Sequence, residues 1–251
     1  MGTDMAAVLE SPGGPQRRQA SARRILAEVN ASGAASLAAA RRLVGAASEL
    51  RDLRPDGYLG AHPLLAPLLP WPAGLRRGCT ISVERGTSVL LGLLAEAMGE
   101  SGYAAIVGLP ALGMVAAAEQ GVPLQRLALV PDPGVDWPTV VAALIDGVDM
   151  VVLAPPAQVA DGTARALASR ARRTGAVLIT TRPWVGCDVR LRVAGPRWHG
   201  LAEGRGRLRH AEAVVTSVGR GAASQQREVR IPIPLPAPVR SARVTRLDRP
   251  A

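Results

Sequence analysis

The sequence predicts a doubly wound, mostly parallel α/β sheet with N-terminal helices and antiparallel C-terminal edge strands. Three observations carry that expectation. Over residues 78–180, short apolar runs alternate with stretches of helical periodicity, giving five strands joined by four helices. The run 148–153 is of the kind that a parallel sheet buries on both faces. After Trp184 the pattern turns strand-only, with glycine-rich turns between the segments.

Taken in order, residues 1–16 hold glycine and proline pairs and read as a flexible start. In 16–30, Ala22, Ile25, Leu26 and Val29 fall on one helical stripe opposite Arg17, Arg18, Arg23 and Arg24. A second helix is expected over 35–50, with Leu43, Ala46, Ala47 and Leu50 on its apolar side. Residues 55–78 are a proline-rich connector whose leucines lie over a core edge. Strands are predicted at 79–84, 103–108, 126–130, 148–153 and 176–180. Helices at 87–98 and 111–120 separate the first three strands, then one capped by Asp136 and one capped by Asp161. Segments 188–193, 208–218 and 227–233 read as antiparallel edge strands. The domain plan is therefore a helical segment 1–55, an α/β core 56–187, a strand extension 188–231 and a disordered Pro/Arg-rich tail 232–251.

Composition narrows the chemistry. The 251 residues carry a formal charge of +10, and every one of the 30 basic side chains is arginine. Without lysine, a standard P-loop, a Schiff-base enzyme and a protein kinase are excluded. Aromatics are 2% of the chain, which disfavours a reader that stacks bases on aromatic platforms. Cys79 and Cys187 stand far apart with no Cys/His cluster, so neither a disulfide framework nor a metal site is expected, and a reducing cytoplasm fits. No signal peptide and no membrane span are expected. The charge is uneven: residues 1–55 hold 8 Arg against 5 acids (+3), 56–188 hold 9 against 11 (−2) and 189–251 hold 13 against 4 (+9). A field concentrated in the last quarter suits phosphate backbone or an acidic partner.

The strand 78–83, the turn Gly86, Thr87, Ser88 and the helix after it resemble the strand–P-loop–helix of RecA-family ATPases, and the spacing of the following strands is similar over roughly 60–185. The resemblance implies a nucleotide site, and each catalytic position departs from it. Glu84, Arg85, Gly86, Thr87 and Ser88 form a loop too short for a Walker A motif, without its lysine. Pro110 stands near the position of the water-activating glutamate, and Ala154 where a Walker B aspartate would bind magnesium. Thr181 and Arg182 replace the phosphate-sensing amide. The expectation is a fold kept and a catalytic site lost: no enzyme activity and no cofactor.

Within such degenerate folds the chain is similar to the actinobacterial ImuA-prime family. The similarity rests on Gly86 to Ser88, 107–113, 129–134, 146–149, Trp198 with its following glycines, and 219–222. It implies a scaffold in SOS-type error-prone translesion synthesis. The implied partner is a Y-family polymerase-like protein, ImuB, which links it indirectly to an error-prone C-family DNA polymerase. Binding is expected through the C-terminal region, with Ile231, Ile233, Leu235, Arg240 and Arg243 presented on an extended backbone. Truncation after Gly221 is then expected to leave the core folded while abolishing partner binding. Self-association through the N-terminal helices and nucleoid association on recruitment belong to the same picture. Two alternatives stand beside it. One is a DNA-binding module, with Arg205, Arg207 and Arg209 in a Gly/Arg turn as phosphate contacts. The other is a SulA-like cell-division inhibitor.

Overall fold

The computed structural model describes residues 57–202 and 205–237, of which 201–209 and Ala222 in backbone only. The two N-terminal helices expected over 16–50 lie outside the described residues. A short hairpin, β1 (Tyr58–Leu59) with β2 (Leu75–Arg76), opens the fold. It brackets a 3-10 turn, Ala66–Leu68, that sinks Leu65 and Leu68 completely into the core. The connector leucines are thus core residues and not an edge cover.

The sequence then lays down β3 (Thr80–Glu84), α1 (Thr87–Met98), β4 (Ala104–Val107), α2 (Met114–Glu119) and β5 (Leu127–Val130). It continues with α3 (Trp137–Gly147), β6 (Met150–Leu153), α4 (Asp161–Thr174) and β7 (Val177–Thr180). β4, β6 and β7 are buried at every position, as strands covered on both faces must be. The last strands are β8 (Val189–Val193), β9 (Arg197–Ala202), β10 (Arg205–Gly219) and β11 (Arg227–Ile233). The order across the sheet is β11-β10-β8-β3-β7-β6-β4-β5, with β9 also on β10. The architecture is a mixed α/β sheet, mostly parallel. Along this path β10 runs against both its neighbours, β8 and β11, and so β11 points the same way as the parallel core.

β8 departs from the sequence expectation. It pairs parallel with β3, with Val189 and Ile179 both level with Ile81, although only residues 181–188 link β7 to β8. A parallel crossover normally takes a dozen residues and a helix, which is why a strand-only stretch reads as antiparallel. Here β7 is four residues long, so a short loop returns the chain to its starting level. Asp188 seats that return: its carboxylate accepts the Thr80 N–H at 2.8 Å while its own N–H donates to the Thr80 carbonyl at 2.8 Å.

Two apolar layers sandwich the sheet. One joins α1, the β1–β2 hairpin, β8, β10, Ile231 and Leu235; the other joins α3, α4, Tyr103 and Trp184. Single polar side chains finish the joints. Arg126, buried at the start of β5, donates to the carbonyls of Met98, Gly99 and Gly102 at 3.3, 2.6 and 3.2 Å, closing the C-terminus of α1 with positive charge. Arg170 of α4 grips Asp146 of α3 through two bonds of 2.7 and 2.5 Å. The expected caps differ in detail: Asp136 sits at the N-cap of α3 without a side-chain cap bond, and Asp161 is the first helical residue of α4, one past the Ala160 cap.

Candidate functional site

In open α/β sheets, ligands are met at the carboxyl ends of the strands, where connections to helices diverge. At the end of β3 only Arg85 and Gly86 separate Glu84 from the first residue of α1. Arg85 takes a positive φ of 60° to make so abrupt a turn. Gly86 is required by close packing, since a Cβ there would stand 2.4 Å from Val193 Cγ2 of β8. Glu84 is turned toward β8, where its oxygens meet Arg190 Nε at 3.3 Å and Arg192 Nη2 at 3.2 Å. Its side chain is 12% exposed, so the pair of guanidiniums is what offsets its burial.

Thr87 begins the helix exposed, while Ser88 is drawn into a contact that sequence reasoning missed. Its hydroxyl accepts the Leu235 N–H at 2.7 Å and donates to Gln120 Oε1 at 3.4 Å. The chain after β11 thus crosses α1 as a strap. Leu235 fits because residue 92 is glycine: a Cβ there would lie 2.8 Å from Leu235 Cδ1. One residue on, His62 Nε2 donates to the Pro236 carbonyl at 3.0 Å, its Nδ1 accepting the Leu64 N–H at 3.2 Å.

The strap corrects the expected partner-binding residues. Ile231 is fully buried and Leu235 is 2% exposed, both in this chain's own core, and Ile233 packs partly buried against the same layer. The physical reason lies in the alternation itself. Prolines at every second position end strand pairing, yet they leave the apolar residues on one side, and that side faces α1. Residues 232–237 are therefore ordered structure and not part of a tail. Arg240 and Arg243 lie outside the described residues.

At the ends of β4 and β6, Gly108 and Ala154 meet backbone to backbone. A Cβ on Gly108, whose φ is +75°, would lie 2.7 Å from the Ala154 carbonyl, and the Ala154 N–H donates to the Val107 carbonyl at 2.9 Å. Pro110 is exposed in the turn beyond. Neither lines the cleft that opens beside them. That cleft, about 790 Å³, is lined by Glu84, Arg85, Pro155, Pro156, Thr181, Arg182 and Trp184 among others. The structure thus gathers Glu84, Arg85 and Arg182 and leaves Pro110, Ala154 and Ser88 outside. Its charged groups are two exposed guanidiniums and one carboxylate already paired with β8. Among the described residues no group of three or more His, Cys, Asp or Glu side chains could hold a metal ion. Cys79 is no nucleophile: burial first, then the Asp188 carboxylate, pushes its thiol far up from the ordinary range.

Arg205, Arg207 and Arg209 fall on β10 where it pairs with β9, so the Gly/Arg segment is strand and not a free turn. No helix of the described residues is long and apolar enough to cross a membrane.

The family profile described as the MT3502 N-terminal domain matches residues 67–186. The uncharacterized protein Rv3395c of Mycobacterium tuberculosis is 37% identical over 202 residues, spanning 74% of this chain and 99% of that protein. The chain belongs to the MT3502 N-terminal domain family. In this member the matched stretch runs from the buried 3-10 turn to the loop before β8, and so contains the β3–α1 turn and the cleft but not β8 to β11 or the strap. Among solved structures, the crystal structure of the RadB recombinase is similar with a TM-score of 0.47 at 14% identity, covering 67% of this chain and 93% of that one.

Proposed function

We propose that this MT3502-family chain is a non-catalytic scaffold on a RecA-like fold, acting as an accessory factor in error-prone translesion DNA synthesis. The observation that carries the first half is the β3–α1 connection. Two residues cannot build the string of backbone amides that wraps a phosphate, and the Ser88 hydroxyl, second in the helix, is bonded to the Leu235 N–H. The glutamate at the same turn is committed to Arg190 and Arg192. The second half is supported by the sequence resemblance to the ImuA-prime family and by the +9 charge of residues 189–251 (13 Arg against 4 acids).

Because Ile231 and Leu235 hold the core, the polymerase-like partner meets the residues that follow the strap, with Arg240 and Arg243 as its charged contacts. We expect the Arg240→Glu/Arg243→Glu variant to melt like the parent and to lose co-purification with the co-expressed ImuB-type protein. Undiminished co-purification would move the interface elsewhere.

A further inference from the structure

The sheet beyond β3 is built differently from its centre. β8 and β10 bury alternate residues, which is the mark of strands with one solvated face. The buried set (Val189, Leu191, Val193, Ala213, Val215) faces α1, and Ile231 of β11 joins it. The opposite face carries Arg190 and Arg192 of β8, both paired with Glu84, then Glu212, Thr216 and Val218 of β10, and Glu228 and Arg230 of β11. Among the described residues no helix packs over it.

This face continues into a projection. β8 leads through residues 194–196 into β9, and both pair with the long strand β10, whose pairing with β11 begins only at Ala211. Residues 199–202 and 205–210 therefore run on past the end of β11 as a two-stranded ribbon, with a register shift between Gly206 and His210. From 197 to 209 the sequence places four arginines, Arg197, Arg205, Arg207 and Arg209, against the single acid Glu203. At the ribbon's base, Arg197 and Arg230 line a groove of about 230 Å³ with His199, Glu212 and Val214, and neither arginine makes an ion pair among the described residues. His199 and His210 stack at 4.7 Å across the ribbon, with Glu212 3.9 Å from His199.

Four arginines against one acid over residues 197–209, with Arg197 and Arg230 at the base free of ion pairs among the described residues, complement a polyanion. A two-stranded ribbon is one of the shapes a duplex major groove admits, being about 12 Å wide. Single strands call for a series of stacking aromatics, and this surface offers Trp198, 55% exposed, as its one tryptophan. We propose that the β9–β10 ribbon, with Arg197 and Arg230 at its base, binds the phosphate backbone of duplex DNA. This goes beyond the scaffold reading, which needs no contact with DNA.

The test uses the full chain and a fluorescent duplex of about two helical turns, with anisotropy followed through a salt series. Expected is binding that weakens as salt rises. In the Arg205→Gln/Arg207→Gln/Arg209→Gln variant the slope of log K against log salt should drop by about 2 to 3, at about 0.9 for each phosphate no longer neutralised. The Arg197→Gln/Arg230→Gln variant tests the base of the ribbon independently and should weaken binding at constant fold, checked by thermal melting. The proposal is overturned if the parent shows no salt-dependent binding, or if both variants bind as the parent does. It is equally overturned if the matching single strand binds more tightly than the duplex, or if polyglutamate competes as well as duplex of equal charge.

Discussion

Truncation after Gly221 is expected to destroy the cooperative melting transition, not merely to remove a tail. The cut deletes all of β11, which pairs with β10 from Ala211 to Ser217, and with it Ile231 and Leu235 from the core around α1. The exposed edge of β10 would then present unpaired amides and carbonyls along a strand of high β-propensity, and the product should aggregate. A single substitution isolates the strap. Leu235→Ala leaves a cavity against Gly92 and Leu65 and should cost about 3 kcal/mol, within the 2–5 typical of buried leucines. For a domain of this size that is a fall of about 6–12 °C in Tm, measured by calorimetry. A Leu235→Ala protein that melts within about 1 °C of the parent would show that the strap is not part of the folded unit.

Asp149→Ala is expected to be as damaging at the amino ends of the strands. The carboxylate accepts Arg77 Nη2 at 3.0 Å and the Tyr103 N–H at 3.0 Å, with the Arg77 and Asp149 side chains 14% and 7% exposed. Among the described residues Arg77 Nε and Nη1 find no partner, so removing Asp149 leaves a buried cation with little to offset it. Breaking such a pair costs about 3–5 kcal/mol, whereas replacing both members by apolar residues is often close to neutral. In urea titrations, Asp149→Ala should lose most of that amount and Arg77→Met/Asp149→Leu should recover more than half of it. Equal losses in the single and double variants would mean that the pair does not act as a unit.

These residues also mark how far the sequence could be read. The parallel core was legible because burial on both faces leaves an unbroken apolar run, as in Met150–Leu153, and because α4 carries a clear helical stripe. β8 was legible as a strand but not in its direction, since direction depends on a crossover loop whose length rule fails for so short a β7. The β1–β2 hairpin left no signal because two-residue strands have no period, and β9 left none because its arginine, histidine and glycine break any apolar run. At the candidate site the departures from a nucleotide-binding turn were plain in residues 84–88. What fills that place was not, because Ser88 and Leu235 are 147 residues apart and only packing brings them together. The proline alternation of 232–236 looked like an unpaired segment for the same reason: its one apolar side has meaning only against α1. Arg126 and Asp149 gave no signal, since a buried charge is recognised by its partners and not by its neighbours in sequence.

On the scaffold reading, the strap over Ser88 and the pairing of Glu84 with β8 stand where a phosphate site would be. The most direct measurement is calorimetric titration of the purified full chain with Mg-ATP, alongside a steady-state assay of phosphate release. No heat of binding and no turnover above the buffer rate are expected. ATP hydrolysis that disappears on Ser88→Ala would contradict the scaffold reading.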